Sequence, residues 1–367
     1  MSQSPRRVTI LVDSLLGGGA ERVAVETACA LDPTRYVAHL LVTRHGGPLE
    51  ELVRANGLEC TILDRRRGFH PRAFARACRA VRDSSLVHAH KLEGSMWGAA
   101  MARITRRPLV AHEHTFDGTR TRRRTLGYRY LIAPTASRIL CVSDYVAASL
   151  RDEGVQARLL ETVPNGVRTD LALPRATARA ELGLDPAATV VGIVGRLRPE
   201  KRHDLALQAL NGVRAAGHDV VLCCVGDGPL RGSLETLAAE LGLAEHVVFA
   251  GELPDAGRLA KAFDVGLLCS VYEGMPLAAL ELLVAGVPLV ATAVGSLPEL
   301  VADGGGRVVP SGDANALAEA LAAELADVGF RDRQLAAERA RTRFGLERVA
   351  LDVQRVYDEI LAVTSNG

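Results

Sequence analysis

The sequence has few aromatic residues and almost no net charge, and both absences exclude a class of protein. Aromatic residues make up 4% of the 367 residues, with one Trp. That is too few for the aromatic platforms on which single-stranded nucleic acid stacks. The formal net charge of +1 gives no long-range attraction to nucleic acid either. We therefore expect no nucleic-acid partner.

The sequence also lacks paired cysteines and long apolar runs. Its seven Cys are odd in number and scattered through apolar segments, with no Cys-x-x-Cys. This usage is typical of small buried residues in a reducing compartment and not of a disulfide framework or zinc site. No apolar run approaches the roughly 18 residues of a membrane span, and nothing resembles a signal peptide. We expect a cytoplasmic protein that at most lies peripherally on the inner face of the membrane.

Short β-branched runs alternate with helical stretches along the chain, which is the pattern of parallel sheets covered on both faces. Turn-type residues at 164–167 separate a first set of strands from a second. The pattern predicts an α/β chain of two doubly wound, Rossmann-like domains that bind ligand in the cleft between them. A last amphipathic helix is expected at 344–363. The predicted strands are 8–12, 38–42, 60–63, 86–89, 109–111, 138–142, 159–163, 190–194, 220–225, 247–249, 265–269, 289–291 and 307–309.

The segment around Glu273 carries the clearest chemistry. Glu273 lies in the turn after a buried strand, and Pro276 suits the first position of the following helix. Glu281 follows eight residues later, so at about 100° per residue it returns to roughly the same side. The amide end of the helix is a site for phosphate. Two acids beside it indicate a nucleotide-sugar, although such glutamates are also common as dipole partners or surface residues.

Two further loops contain residue types that bind phosphate. The first strand leads into the glycine turn 17–19, where backbone amides can approach a phosphate closely. A dinucleotide-binding turn would need glycine where Arg22 stands, and a simple tight turn is an equal alternative. The first strand of the second half leads into Arg196 and Lys201, which could bind phosphate or form a solvated basic loop.

Several motifs occur together in one order, and over about residues 190–312 they resemble the retaining glycosyltransferase family 4, which has the GT-B fold. In the first half the resemblance rests on the glycine turn and on segments 87–90, 112–114 and 164–167. The chain departs from the family pattern at Arg168, where many relatives carry Asp. The motifs of the second half are Gly195-Arg196-Leu197 with Glu200-Lys201, Gly226-Asp227-Gly228-Pro229-Leu230, Glu273-Gly274-Met275-Pro276 with Glu281, and residues 285–292.

The resemblance implies an acceptor-binding domain over 1–165, a donor-binding domain over 166–343, and a C-terminal helix, 344–367, that packs back across the N-terminal domain. Arg196 and Lys201 would hold the donor diphosphate, Glu273 the sugar and Glu281 the ribose. His114 would be the active-site histidine near the sugar. The implied catalytic residues are Glu273, His114, Arg196 and Lys201, and further donor contacts are Gly18, Gly19, Gly251, Glu252, Gly274, Met275, Pro276 and Leu277.

The chain contains no Asp-x-Asp, so we expect no metal site and no cofactor, with Arg196 and Lys201 in place of a divalent ion. The expected reaction transfers a sugar from a nucleotide diphosphate sugar to an acceptor hydroxyl, and the resemblance to the family implies a UDP-sugar as the donor. The departing phosphate can itself accept the proton of that hydroxyl. A UDP-sugar 2-epimerase and a non-catalytic nucleotide-sugar-binding protein are the alternatives.

The sequence does not identify what a run of arginines in the first half contacts. Such residues beside aromatic and aliphatic side chains could meet an anionic membrane, an anionic acceptor or only solvent. His90 could line the acceptor site, whereas His88 is expected to hydrogen-bond locally. Oligomeric state, donor sugar and acceptor are not encoded in any recognisable motif. The run comprises Arg120, Arg122, Arg123, Arg124 and Arg129, and a second basic run is Arg65, Arg66 and Arg67.

Overall fold

The computed structural model forms two compact units and describes residues 4–65, 70–115, 121–302, 304–327 and 330–365. Unit 1 contains Met1–Gly166 together with Leu346–Gly367, and unit 2 contains Val167–Gly345. Each unit is a parallel sheet with helices on its faces.

Unit 1 is built on a seven-stranded sheet whose strands are ordered β3-β2-β1-β4-β5-β6-β7, every neighbouring pair parallel. Because the strands are parallel, their carboxyl ends lie along one edge. The elements are β1 (Arg6–Ser14), α1 (Gly19–Cys29), β2 (Tyr36–His45), α2 (Leu49–Ala55), β3 (Glu59–Ile62), α3 (Pro71–Ala80), β4 (Leu86–His90), α4 (Lys91–Thr105), β5 (Leu109–Glu113), α5 (Arg122–Gly127), a π-helical turn (Tyr128–Ile132), β6 (Arg138–Cys141), α6 (Asp144–Asp152) and β7 (Leu160–Thr162).

Unit 2 repeats the plan with six parallel strands, ordered β10-β9-β8-β11-β12-β13. The elements are α7 (Arg175–Glu181), β8 (Thr189–Val194), α8 (His203–Ala215), β9 (Val220–Val225), α9 (Arg231–Glu240), β10 (Val247–Gly251), a 3₁₀ segment (Ala256–Ala262), β11 (Val265–Leu268), α10 (Leu277–Val284), β12 (Leu289–Thr292), α11 (Leu297–Val301), β13 (Gly306–Val309), α12 (Ala314–Ala326) and α13 (Phe330–Phe344).

A final helix, α14 (Leu346–Ser365), returns to unit 1. Val353, Val356 and Tyr357 on its apolar face are fully buried in the same cluster as Ile10 of β1. Beside them, the Tyr36 hydroxyl donates a hydrogen bond to Asp358 at 2.6 Å. The core of unit 1 is therefore completed by the last helix of the chain.

The alternation of apolar runs locates all thirteen strands of the described residues, with ends that differ by a few residues from those predicted. The amphipathic helix expected at 344–363 is α14. Pro276 is the N-cap of α10 instead of its first residue, since its ψ of 127° is extended. In the part of the chain that the structure describes, no helix is both long enough and apolar enough to cross a membrane.

Candidate active site

The loops that follow β8, β9 and β11 are bonded to one another at the carboxyl edge of the unit 2 sheet. The backbone N–H of Leu197 donates to Asp227 O at 3.0 Å, and that of Val271 donates to Glu200 O at 2.9 Å. The Thr292 hydroxyl at the end of β12 donates to Ser270 O at 2.7 Å. These bonds hold the loop of residues 195–202, which contains Arg196 and Lys201 and is called the diphosphate loop below, and the Glu273 turn in one fixed arrangement.

Two glycines allow these loops to approach so closely. Gly295 has φ +57°, and a Cβ there would lie 1.7 Å from the carbonyl oxygen of Glu273. Gly226 has φ +141°, and its Cβ would lie 2.1 Å from Gly195 O. Both conformations favour glycine, and both neighbouring atoms belong to backbone that cannot rotate away. The site is therefore built from backbone packed against backbone.

Lys201 and Glu273 form an ion pair at this edge. Lys201 Nζ lies 2.5 Å from Glu273 Oε1, and the Ser270 hydroxyl donates to the same oxygen at 2.7 Å. The Glu273 side chain is 9% exposed and that of Lys201 30% exposed. One carboxylate is thus held by two donors in a largely dry position, and the lysine reaches from there into solvent.

The other basic residues of the diphosphate loop differ in their partners. Arg202 is engaged, because its guanidinium donates to the Asp204 carboxylate at 3.0 Å. The Arg196 side chain is exposed and makes no hydrogen bond or ion pair among the described residues. Burial and the neighbouring charge of Lys201 lower the pKa of His203 to about 4. Arg196 and Lys201, together with the likewise exposed Arg198, therefore remain the cations of this loop that can reach an anion.

Glu281 is buried against a different segment from Glu273. A Cβ at Gly257, in the 3₁₀ segment, would lie 2.3 Å from the carboxyl carbon of Glu281. Helical spacing predicts that the two acids lie on one side of α10. Their described neighbours differ, because Glu273 lies in the turn before this helix and Glu281 lies within it. Gly257 leaves the room that the Glu281 carboxylate occupies.

The remaining predicted donor contacts occupy the same edge. Gly251 ends β10 with φ +76°, its carbonyl oxygen accepts a 2.7 Å bond from Gly226 N–H, and Glu252 beside it is exposed. Gly274 and Met275 are buried, whereas Pro276 and Leu277 are half-buried at the start of α10.

In unit 1, the carboxylate of Glu21 lies against the glycine turn. Gly18 is the N-cap of α1, and a Cβ there would lie 2.3 Å from Glu21 Oε2, while Gly19 is exposed. Lys91, which follows β4 with φ +64°, donates from Nζ to Glu21 Oε1 at 3.1 Å. Sequence reasoning missed this pair, since only the sheet order brings the ends of β1 and β4 together.

Four histidines are buried at the ends of β4 and β5. His88 and His90 come from β4, His112 comes from β5, and His114 follows it; each side chain is at most 5% exposed. The predicted active-site histidine therefore belongs to a cluster. The alternating spacing of two His-x-His segments was the available signal, but only the β4–β5 pairing reveals their contact.

Glu113, between two of these histidines, faces the other way into an ionic network. Its Oε1 accepts the backbone N–H of His114 at 3.0 Å, and its Oε2 accepts from Arg124 at 3.1 Å and from the Tyr128 hydroxyl. Arg124 also donates to Glu153 at 2.7 Å and is 8% exposed. Burial beside Glu113 raises the pKa of Tyr128 above its usual value.

The expectation that Arg124 faces an acceptor or membrane is therefore wrong, because its guanidinium is buried with two carboxylates. Arg122 and Arg123 are exposed, and Arg123 donates to Glu93 at 3.2 Å. Of the other arginines in the two runs, Arg129 is exposed, Arg65 is buried, and Arg66, Arg67 and Arg120 lie outside the described residues.

Comparison with known proteins agrees with this architecture. Residues 17–171 match the family described as Glycosyltransferase Family 4, and residues 174–343 match Glycosyl transferases group 1. The chain is 31% identical over 310 residues to a phosphatidyl-myo-inositol mannosyltransferase of Mycobacterium leprae, covering 80% of this chain and 78% of the relative. It is 33% identical over 282 residues to a GDP-mannose-dependent alpha-(1-6)-phosphatidylinositol monomannoside mannosyltransferase of Mycolicibacterium smegmatis, covering 68% and 71%.

Among solved structures, Anabaena Alr3699/HepE in complex with UDP and glucose superimposes with a TM-score of 0.85 at 23% identity, covering 96% of this chain and 99% of that one. Two parallel-sheet, Rossmann-like domains of this kind make up the GT-B fold. The chain belongs to glycosyltransferase family 4 and is an enzyme that transfers a sugar to an acceptor.

Proposed function

We propose that this enzyme transfers a sugar from a nucleotide diphosphate sugar to an acceptor hydroxyl, with retention of anomeric configuration and without a metal ion. The observation that carries the proposal is the Lys201–Glu273 pair beside the exposed Arg196. Two cations at the amide end of a helix suit a departing diphosphate, and a buried carboxylate suits sugar hydroxyls.

The proposed roles follow from the contacts. Lys201 is held by Glu273 and lies 30% exposed, so it can contact a diphosphate while keeping its carboxylate partner. Arg196 has no competing acid among the described residues and binds phosphate as a fork. Their charge opposes the charge that develops on the leaving phosphate as the anomeric bond breaks. That phosphate then accepts the proton of the incoming hydroxyl.

The nucleoside of the donor is proposed to be uridine, which the HepE complex with UDP supports. The GDP-mannose-dependent relative makes guanosine the competing proposal. A thermal-shift panel of UDP, GDP, ADP and NAD with excess chelator separates them. A ligand present at 100 times its Kd stabilises the native state by about 2.7 kcal/mol. A shift with one nucleoside diphosphate supports the donor proposal, and a shift with NAD alone overturns it.

Lysine substitutions test the site, since the chain has two other lysines to compare. Lys201→Ala is expected to abolish transfer and weaken diphosphate binding, whereas Lys261→Ala, at an exposed lysine before β11, is the matched control. Glu273→Gln should lower turnover more than diphosphate affinity, because it contacts the sugar. Normal rates in Lys201→Ala would refute the assignment.

Product analysis decides the reaction type. NMR of the product anomeric centre is expected to show retention. Release of an epimerised UDP-sugar in the absence of acceptor would identify a 2-epimerase, and binding without turnover over a broad acceptor panel would identify a non-catalytic binding protein.

The acceptor is proposed to be anionic or membrane-bound and to contact unit 1 through Arg122 and Arg123. Leu126 and Tyr130 nearby are 43% and 61% exposed, so charge and apolar surface lie together. Co-sedimentation with phosphatidylglycerol vesicles, compared with phosphatidylcholine vesicles, tests the membrane form at low salt. Binding that persists in Arg122→Ala with Arg123→Ala, or no dependence on anionic lipid, contradicts it.

A further inference from the structure

The four buried histidines form two hydrogen-bonded pairs stacked on each other. His88 Nε2 lies 3.2 Å from His112 Nδ1, and His90 Nδ1 lies 2.9 Å from His114 Nε2. The ring of His88 lies 4.4 Å from that of His90, and the ring of His112 lies 4.4 Å from that of His114. Each bonded pair therefore supports the other through its ring faces.

Tyr357 of α14 anchors one end of this arrangement. Its hydroxyl lies 2.6 Å from His88 Nδ1, and its ring is fully buried. The chain Tyr357–His88–His112 is thus continuous through hydrogen bonds, and it supports the pair that contains the predicted active-site histidine.

Burial keeps the imidazoles neutral. It lowers the pKa of His88, His90 and His114 well below the usual range, with a further lowering from neighbouring histidines, and burial alone lowers the pKa of His112 to about 3. A neutral imidazole has one N–H donor and one acceptor nitrogen. In a bonded pair, the tautomer of one ring therefore dictates the tautomer of the other.

A metal ion is the competing explanation, because nitrogens of His88, His90 and His112 all lie within 4.8 Å of one another. The ring planes argue against it. The rings of His88 and His90 face each other with centroids 4.4 Å apart and planes tilted by only 32°. Lone pairs lie in the ring planes, so stacked rings do not converge on one ion at the roughly 2.0–2.1 Å of a Zn–N bond. Hydrogen-bonded pairs explain the arrangement better.

We infer that His90 is a positioning residue that fixes the tautomer and ring plane of His114, with Tyr357, His88 and His112 as the supporting layer. The inference rests on the proposed function only in giving His114 a sugar to contact. Glu113 holds the backbone N–H of the same residue, so both the backbone and the side chain of His114 are set. A fixed, neutral His114 presents one defined hydrogen-bonding atom to a sugar without carrying a charge itself.

The first test measures tautomers directly in the full chain and needs no activity. Two-bond ¹H–¹⁵N correlation spectra of histidine-labelled protein are expected to show one tautomer for His114 between pH 6 and 8. In His90→Leu, which keeps bulk but removes the bond, the His114 nitrogen shifts should move toward an average of two tautomers. His90→Asn, whose amide lies near the position of Nδ1, should restore the fixed state.

Two variants serve as controls. His39→Leu removes another buried histidine of the same sheet, one that bonds Thr9 and Thr61, and should leave the His114 signals unchanged. Tyr357→Phe removes only a hydroxyl. It should move the nitrogen shifts of His88 and His112 toward an average of two tautomers more than those of His90 and His114. It tests the supporting layer even if His90→Leu does not fold.

The second test uses turnover. His90→Leu is expected to lower kcat about 10- to 100-fold with little change in donor KM, and His90→Asn should recover part of it. Unchanged His114 nitrogen shifts in a folded His90→Leu overturn the inference, as does one equivalent of tightly bound metal in the purified wild type. If the wild type transfers no sugar, the proposed function fails while the tautomer result still decides this inference.

Discussion

Arg124 offers the sharpest test of the unit 1 structure, because two buried carboxylates depend on it. Its guanidinium bonds Glu153 at 2.7 Å and Glu113 at 3.1 Å, and the side chains of these acids are 0% and 3% exposed. In Arg124→Met both charges lose their cation without access to water. Breaking such a buried pair typically costs about 3–5 kcal/mol. We expect a loss of that size in the free energy of unfolding of unit 1.

Arg123 is the matched control, one position earlier in the same helix. Its pair with Glu93 is exposed, with side chains 66% and 32% accessible, and such pairs contribute about 0–1 kcal/mol. Urea unfolding followed by fluorescence of the single Trp, Trp97 of α4, reports on unit 1. Adding Glu153→Gln to Arg124→Met should recover part of the loss, because one unpaired charge disappears.

The reasoning is refuted if Arg124→Met and Arg123→Met lower the unfolding free energy by similar amounts below about 1 kcal/mol. That result would mean that Arg124 reaches solvent and that Glu113 holds the His114 loop without it. Loss of anionic-vesicle binding in a fully stable Arg124→Met would return this residue to the acceptor surface.

Two further predictions concern backbone and pH. Gly295→Ala should lower unfolding stability by more than about 1 kcal/mol, since its Cβ meets a backbone carbonyl, and Gly183→Ala, with φ +65° but open space, should cost less. Burial, reinforced by Arg7 and opposed by Glu59, lowers the pKa of His39 to about 4 from 6.5. The unfolded chain therefore binds more protons between these values, so stability falls on acidification through pH 6.5 to 4. His39→Leu should reduce that slope by up to about 1.4 kcal/mol per pH unit in urea titrations, and an unchanged slope would contradict the assignment.

The sequence predicted the sheets well because a parallel strand buried on both faces is recorded locally, as a short β-branched run between turns. The loops of unit 2 were predicted for the same reason, since Arg196 and Glu273 lie within five residues of the ends of their strands. The orientation of the side chains was harder to predict. Helical spacing could not reveal that Glu281 turns toward Gly257, because the angle is fixed by what α10 packs against.

The features that were missed depend on partners distant in sequence. In the sequence, Arg124 cannot be distinguished from the exposed arginines beside it. Its burial depends on Glu153, which is 29 residues away in the chain. The histidine cluster requires β4 next to β5, and Tyr357 reaches His88 across 269 positions. No local pattern encodes such contacts; the chain's amphipathic last helix predicted burial there, but not against which side chain.

The return of α14 to unit 1 has a consequence for synthesis on the ribosome. The core around Ile10 lacks Val356 and Tyr357 until all of unit 2 has been translated. At about 5–20 residues per second the wait is roughly 10 to 35 s. Unit 2, continuous in sequence, can fold during that time, while the first half of the chain remains an unfinished sheet with an uncovered apolar surface. The apolar surface of the nascent N-terminal half is therefore the surface that a chaperone would cover during synthesis.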